Sequence, residues 1–282
     1  MARRLEDVTY ADRRSAGAGH VLVLVGGSVL LGRLLPQTTT TTALCTWVVL
    51  GGRSLSREAN AVHAHLRRGD LDAARDQVTH LVGRDPTRLD AGEVARATIE
   101  SVAENTSDAV VAPLLWGAVA GPAGLLGYRV VNTLDAMVGH RSPRYERFGW
   151  AAARLDDAAN LVPARVTALV AAAGSPRAAL RAWRRDAHRH PSPNAGPVEA
   201  SFAGALGVRL GGVNVYGDDV EHRGHLGDGR PPAPSDIPPA VRLADRVALT
   251  SLLVALAIAR RRTRRRPPRH LPAAWGDVRR RR

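Results

Sequence analysis

The stretch ESVAENTSDAVVAPLLWGAVAGPAGLLGYRVV, residues 100–131, joins a cluster of acidic and amide side chains directly to a long apolar segment. Wound as a helix, its first nine residues place Glu100, Glu104 and Asp108 on one face, because residues four apart lie about 40° from each other. Carboxylates this close repel one another, and more strongly when they are shielded from water. A helix that keeps three of them beside an apolar segment is predicted to hold a cation or a cationic group.

The apolar part of this stretch, residues 109–131, has the length of about twenty residues that a membrane-spanning helix needs. Pro113 and the pair Gly121 and Pro122 are expected to kink it. Shorter apolar runs occupy residues 21–35, 43–51, 161–174 and 247–259. Period-two alternation persists nowhere for more than a few residues, so no strand is expected. The pattern favours an all-α, multi-pass helical membrane protein, with amphipathic and polar segments between apolar helices, over a soluble protein with buried helices.

The net charge separates the chain into a body and a tail. The 282 residues carry a formal charge of +14, of which +10 lies in the Arg-rich residues 260–282. We therefore predict a single helical membrane domain over residues 1–259 and a disordered tail. The tail is expected on the cytoplasmic side of the cell membrane, where basic residues accumulate; an RNA-binding arm is the competing use. Aromatic residues make up only 4% of the chain, which disfavours base stacking, so no nucleic acid is expected.

Three further polar clusters interrupt the apolar background. YRVVNTLDAMVGH, residues 128–140, places Tyr128, Asn132 and Asp135 on one helix face, with Arg129 beside them. Carboxylate and amide oxygens are ligands that suit Mg²⁺, and arginine suits phosphate or carboxylate groups. The cluster therefore indicates phosphoryl chemistry on an acidic substrate, although a solvated helix face would show the same pattern.

The other two clusters lie further along the chain. RYERFGWAAARLDD, residues 144–157, contains Arg154, Asp156 and Asp157 near the start of an apolar segment. HPSPNAGPVEA, residues 190–200, contains His190, Ser192 and Asn194 in a loop that its prolines hold in an extended shape. Surface charge and a histidine packed under prolines are the structural alternatives. The sequence contains neither a Walker loop nor a Gly-x-Ser-x-Gly motif, so P-loop and serine-hydrolase sites are excluded.

Seven motifs in this order carry a family resemblance. They are GGRSLSREA (51–59), VGRDP (82–86), ESVAENTSDAVVAP (100–113), YRVVNTLDAMVGH (128–140), RYERFGWAAARLDD (144–157), HPSPNAGPVEA (190–200) and GALGVRLGG (204–212). Together they resemble the adenosylcobinamide-phosphate synthase family, the membrane-bound ligases of cobalamin biosynthesis. The resemblance covers about residues 45–217.

The resemblance implies a multi-pass membrane enzyme that joins aminopropanol, or its O-phosphate, to a propionate carboxylate of cobyric acid. The product is cobinamide or its phosphate. ATP and Mg²⁺ are the implied cofactors, and an acyl phosphate attacked by the amine is the simplest route. The implied partners are these substrates, the membrane and other enzymes of the cobalamin pathway.

The resemblance also suggests roles for the residues of the four clusters. The hypothetical set for Mg²⁺ and nucleotide is Glu100, Glu104, Asn105 and Asp108. The catalytic candidates are Glu104, Asp156 and Asp157, with either aspartate orienting or deprotonating the amine. The residues expected to bind substrate or phosphate are Arg129, Asn132, Asp135, Arg154, His190, Ser192 and Asn194.

Two departures from the family pattern leave alternatives open. Family members usually begin with a further hydrophobic segment that carries Gly-Asp-Pro and His-Pro motifs, and neither motif occurs near the start of this sequence. The Arg-rich extension is also unlike the usual family ending. The alternative hypotheses are therefore a non-catalytic membrane scaffold for corrinoid enzymes and an N-terminally truncated, inactive form of the ligase.

Overall fold

The computed structural model describes residues 2–140, 142–216 and 219–264, and most of them are helical. The helices are α1 Ala2–Thr9, α2 Arg14–Leu34, α3 Thr39–Val49, α4 Gly52–Arg67, α5 Leu71–Val78, α6 Ala91–Thr106, α7 Ala112–Ala120, α8 Pro122–Leu134, α9 Trp150–Ala172, α10 Pro176–Asp186, α11 Ala195–Leu206 and α12 Ile237–Arg264. Two π-helical turns, Ser107–Val111 and Asp135–Gly139, follow α6 and α8, and 3₁₀ turns occupy Ala187–Arg189 and Pro234–Asp236.

Helix α6 is the centre of the main core. It begins with a capping box, in which Asp90 accepts a hydrogen bond from the Glu93 N–H while the Glu93 carboxylate accepts one from the Asp90 N–H. Its side chains from Val94 to Ala103 are buried, in contact with α4, α11 and α12. Because the middle of α6 is buried on every side, the polar residues at its end are held in fixed positions.

The apolar segment 109–131 does not form one helix. It divides at Gly121, whose φ of +64° ends α7, and Pro122 begins α8. The predicted kink at this pair is thus confirmed as a complete break. Helix α2 packs closely on α8, since a Cβ on Gly32 would lie 2.4 Å from the Ala123 Cα.

Because of this break, the prediction of several membrane-spanning helices is not confirmed. Helices α7 and α8 contain 9 and 13 residues, which is too short for either to cross a bilayer alone. Among the described residues, α2 alone is both long enough and apolar enough to span a membrane. Several other helices expose large apolar side chains, including Trp47 on α3 and Val162 on α9, which are 78% and 68% exposed.

An antiparallel hairpin, β1 Leu210–Tyr216 and β2 Asp219–Leu226, departs from the predicted all-helical fold. Gly211 has a φ of +79° at an irregularity in the pairing, and a Cβ there would collide with the Gly224 carbonyl. Arg96 of α6 donates hydrogen bonds to the carbonyls of Gly211 and Val213. The hairpin is therefore fixed to the central helix.

The C-terminal end also differs from the prediction. Helix α12 continues to Arg264, so residues 260–264 are helical and do not belong to a disordered tail. Arg262 donates a hydrogen bond to the Val119 carbonyl at the end of α7. Residues 265–282 lie outside the described part of the chain, and the prediction of disorder there stays a prediction.

Candidate active site

The polar clusters converge on one cavity of about 200 Å³. It lies where the end of α6, the end of α8, the first half of α9 and the start of α11 meet. Five carboxylates and four other polar side chains line it: Glu104, Asp108, Asp135, Asp156, Asp157, Ser107, Asn160, Ser192 and Asn194. Of the predicted site residues, seven therefore share this carboxylate cavity although they come from four separate segments.

Both π-helical turns lie at the edge of the cavity. The turn after α6 carries Ser107 and Asp108, and the turn after α8 begins at Asp135. A π-helical turn adds a residue to the helical path, which changes the direction of the side chains that follow, and such turns are frequent at functional sites. The Tyr128 hydroxyl lies 3.1 Å from the Asp108 carbonyl oxygen and 2.8 Å from Asn160 Oδ1, so it joins α8 to this turn and to α9.

Of the five carboxylates, Asp156 is the one whose orientation is most clearly fixed. Asn160, one turn further along α9, donates a hydrogen bond of 2.9 Å to Asp156 Oδ2. The other oxygen, Oδ1, is buried without a hydrogen-bond partner in the described part of the chain. The carboxylate is therefore held from one side while one oxygen keeps its capacity to accept.

The protein surroundings make these carboxyl groups hard to ionise. Burial, together with repulsion from neighbouring carboxylates, raises the pKa of Asp135 and of Asp156 to about 6. The Glu104 side chain is exposed to the cavity. The protein around the cavity nevertheless raises the pKa of the Glu104 carboxyl group by shielding it from water. Burial and then the charge of Glu104 raise the pKa of Asp108 well above its ordinary value. A cation bound in the cavity would therefore reduce the repulsion between these carboxylates.

The proline-rich loop forms the remaining wall. Asn194 bridges two elements, since Arg165 donates to its Oδ1 at 2.7 Å and its Nδ2 donates to the Asp157 carbonyl at 2.8 Å. Ser192 Oγ accepts hydrogen bonds from the N–H groups of Asn194 and Ala195 and so caps the start of α11. These contacts fix the loop against α9.

His190 and Glu199 lie buried behind this loop. The Ser192 N–H donates to His190 Nδ1 at 3.0 Å, and His190 Nε2 lies 3.5 Å from Glu199 Oε1. Burial and the charge of Arg223 lower the pKa of His190 to about 4, whereas burial raises the pKa of Glu199 well above its ordinary value. His190 is therefore neutral at pH 7, and it positions the loop without lining the cavity. Glu199 is not among the site residues predicted from the sequence.

The remaining predicted residues lie elsewhere. Glu100 is buried outside the cavity, where Arg84 Nη2 donates to its Oε2 at 2.6 Å and the Gly211 N–H donates to its Oε1 at 2.8 Å. Arg96 lies 3.4 Å from the same Oε1. These contacts occupy both carboxylate oxygens, so Glu100 is not available to a ligand in the carboxylate cavity. Its place in the predicted cation set is not supported by this geometry.

Asn105 and Arg129 line a separate cavity of about 430 Å³, together with Glu58 and His80. Asn105 also donates to the Ser101 carbonyl at 3.0 Å, which turns it away from Asp108. Arg154 is exposed and lies 3.8 Å from Asp157 Oδ2 at the rim of the carboxylate cavity. The predicted phosphate-binding arginines are therefore not gathered at one point.

The donor groups of the carboxylate cavity decide whether a magnesium ion fits there. Within the described residues, no three His, Cys, Asp or Glu side chains are close enough together to form a metal cluster. Mg²⁺ usually retains several waters and takes one or two protein carboxylates together with substrate phosphates. The unpartnered Asp156 Oδ1 and the neighbouring Glu104 and Asp108 carboxylates are such hard oxygen donors. The residues therefore fit a hydrated magnesium ion that a phosphate also binds.

Residues 1–244 match the family model described as CobD/Cbib protein. The cobalamin biosynthesis protein CobD of Mycobacterium tuberculosis strain H37Rv is 52% identical over 273 residues, which cover 93% of this chain and 87% of that relative. The proteins of the same name from Rhodobacter capsulatus and Rhizobium meliloti are 50% and 44% identical and cover 76% and 75% of this chain and 69% of each relative. No solved structure matches the chain. From the family match and these identities, this chain belongs to the CobD/Cbib protein family.

Proposed function

We propose that this chain acts in cobalamin biosynthesis as an amide-forming ligase. It would join the amine of aminopropanol, or of its O-phosphate, to a propionate carboxylate of cobyric acid with consumption of ATP. Two findings support this proposal: the relatives are named cobalamin biosynthesis proteins, and the carboxylate cavity gathers residues from four of the motifs that resemble the ligase family. The convergence of five carboxylates on a small enclosed space is the observation that carries it.

The amine is the substrate that fits the carboxylate cavity. Its volume of about 200 Å³ is below the roughly 300–1,000 Å³ of ordinary ligand pockets, so it suits a group of a few heavy atoms. An ammonium group placed among Glu104, Asp108 and Asp156 would offset their mutual repulsion and lower their pKa values. A nucleotide or a corrin ring is too large for this space and must lie outside it.

Asp135 and Asp156 suit the removal of a proton from the bound amine. Amide formation requires the neutral amine, so the ammonium ion must lose a proton before it attacks the activated carboxyl carbon. A base with a pKa of about 6 is ionised at neutral pH and is a stronger base than an ordinary aspartate. Asn160 holds Asp156 in place for this transfer, while the loop at Ser192 limits the movement of the substrate.

ATP and Mg²⁺ remain proposed cofactors. Bound magnesium would neutralise phosphate charge during activation of the propionate carboxylate, and one or two of the carboxylates Glu104, Asp108 and Asp156 would supply its protein ligands. Arg129, in the larger neighbouring cavity, is the proposed contact for a phosphate, and Arg154 at the rim is the proposed contact for the propionate.

We propose that the protein lies in a membrane. Helix α2 would span the bilayer, and the neighbouring helices would contact its lipids. Helices α3, α7, α9 and α12 pack around α8 and one another and expose large apolar side chains, among them Leu22 of α2, Trp47, Val119 and Leu253. Large apolar side chains exposed on helices that pack together are typical of membrane or protein contact. The Arg-rich residues after α12 would then face the cytoplasm.

The reaction can be tested with the full chain in membranes or detergent. Cobyric acid, aminopropanol O-phosphate, ATP and Mg²⁺ are supplied, and the corrinoid product is identified by mass spectrometry, with free aminopropanol in a parallel reaction. The proposal predicts a product whose mass shows the loss of one water on condensation, and whose formation requires ATP. Complementation of a strain lacking this ligase provides a second measurement. No product in vitro and no rescue in vivo from well-folded protein would contradict the proposal.

A further inference from the structure

A cleft of about 1040 Å³ lies apart from the carboxylate cavity. It follows α8 from Ala123 to Val131, a rise of about 12 Å, and α2, α7 and α9 form its walls. Val25, Val29 and Leu155 are among the side chains that make these walls mostly apolar. The cleft therefore has the length and the lining to receive a hydrocarbon chain.

One part of this cleft is cationic. Arg33, in the last turn of α2, and Arg262, near the end of α12, both line it, and no acidic residue does. Arg262 donates a hydrogen bond of 2.8 Å to the Val119 carbonyl, which holds its guanidinium at the break between α7 and α8. A Cβ on Gly121 would lie 3.8 Å from both terminal nitrogens of Arg262. The described residues provide no ion-pair partner for either arginine, so their charge is available to an anionic ligand.

The cleft lies beside the helix that is proposed to span the bilayer. Its wall on one side is α2, the helix of the described chain that is apolar and long enough to span a membrane. Arg33 lies at the C-terminal end of this helix, at the level where a spanning segment would reach the lipid headgroups. A ligand with an apolar chain inside the bilayer and a negative charge at its surface would match both parts of the cleft.

We propose that this cleft binds an anionic phospholipid, with one acyl chain along α8 and the phosphate between Arg33 and Arg262. The apolar walls supply the gain from burying methylene groups, and the two guanidinium groups select a negatively charged headgroup. This site does not depend on the proposed ligase reaction, because none of its charged residues lines the carboxylate cavity.

The test uses the full chain in detergent and native mass spectrometry. Phosphatidylglycerol and phosphatidylcholine with identical acyl chains are added in equal amounts, and the fraction of protein carrying each lipid is measured. The proposal predicts one tightly held phosphatidylglycerol per chain. The double variant Arg33→Gln and Arg262→Gln should weaken its binding by about tenfold or more and leave phosphatidylcholine unchanged.

Two controls separate the headgroup from the acyl chain. The exposed pair Arg67→Gln and Arg177→Gln makes the same change in net charge away from the cleft and should leave the preference intact. Ala120→Phe, which fills the cleft, should reduce the binding of both lipids, whereas Ala64→Phe on the exposed face of α4 should not. Circular dichroism checks that each variant folds.

Three results would overturn the proposal. Equal binding of the two lipids by the unchanged protein would remove the headgroup selection. A preference that survives the double arginine variant would place the anionic site elsewhere. Displacement of phosphatidylglycerol by millimolar inorganic phosphate alone would show that the cleft holds free phosphate and gains nothing from an acyl chain.

Discussion

Glu100 and Glu104 lie one turn apart on α6, and their surroundings are opposite. Glu100 is buried between Arg84 and Arg96 and also accepts a hydrogen bond from the Gly211 N–H. Glu104 accepts no hydrogen bond from the described residues and faces a cavity with four other carboxylates. The same helix thus carries one carboxylate with direct ion pairs and one that makes no direct ion pair with the described residues.

The partners of each acidic residue, and not its spacing along α6, therefore decide its role. A buried ion pair with several hydrogen bonds is satisfied and has no capacity for a ligand. A cluster of carboxylates with raised pKa values is kept at a cost to stability, and clusters of this kind concentrate at functional sites. We therefore expect Glu100 to support the fold and Glu104 to support the reaction.

The largest expected effect is on catalysis when Glu104 is neutralised. Glu104→Gln should lower turnover by about 10²- to 10⁴-fold, the range found for charged groups that act on a reacting centre. Its apparent Tm should not fall, because the change removes a repelling charge. Rates of amide formation and thermal unfolding check both expectations, with the exposed Glu146→Gln as the matched control. Near-normal turnover would remove Glu104 from the site.

Glu100→Gln should give the converse result. Removal of this charge leaves Arg84 and Arg96 buried beside a neutral side chain, which typically costs about 3–5 kcal/mol of stability. Chemical denaturation measures that loss, and the rate per folded molecule should change only a few-fold. A variant as stable as the unchanged protein but without activity would reverse the roles we assign to the two glutamates.

The pH dependence should report on the carboxylate cavity. Asp135 and Asp156, with a pKa of about 6, are protonated in acid and cannot accept a proton there. The value of kcat/KM should therefore rise about tenfold per pH unit below pH 6 and level off above it. Asp156→Asn should lower the plateau and alter this rise. A rate that stays constant from pH 5 to pH 7.5 would show that neither aspartate acts as the base.

The smallest effect is expected at Glu199. Burial raises the pKa of its carboxyl group well above the ordinary value, which favours the protonated form, and glutamine is the near-isosteric neutral replacement for that form. Glu199→Gln should keep turnover within about threefold, in contrast to Glu104→Gln. Activity and infrared absorption of the protonated carboxyl group measure this. A large loss of turnover with an intact fold would show that Glu199 must ionise during the reaction.

Candidate site residues were easier to choose from the sequence than the boundaries of the helices and strands. Repeated acidic and amide residues at helical spacing indicated Glu104, Asp108, Asp135 and Asp156, and the structure brings them together. Spacing along one helix could not distinguish Glu100 from Glu104, because the partners of Glu100, Arg84 and Gly211, come from distant segments.

Two features of the fold escaped the sequence reasoning for local reasons. The hairpin was missed because Gly211 and Gly212 interrupt the alternation of β1, although Val213 and Val215 restore it and the turn letters YGDD follow. The expected long span at residues 109–131 was interrupted because Gly121 adopts a positive φ. A proline after a glycine signalled a kink, but only the packing of α7 against α8 shows that the helix stops there.

The central claim is that the carboxylate cavity holds the amine substrate through Glu104 and its acidic neighbours. Isothermal titration at pH 7.5 of the full chain with aminopropanol, and with the uncharged propane-1,2-diol, tests it most directly. We predict that the amine binds at least about tenfold more tightly than the diol and that Glu104→Gln removes this preference while Glu146→Gln retains it. Equal binding of amine and diol, or an unchanged preference in Glu104→Gln, would contradict the claim.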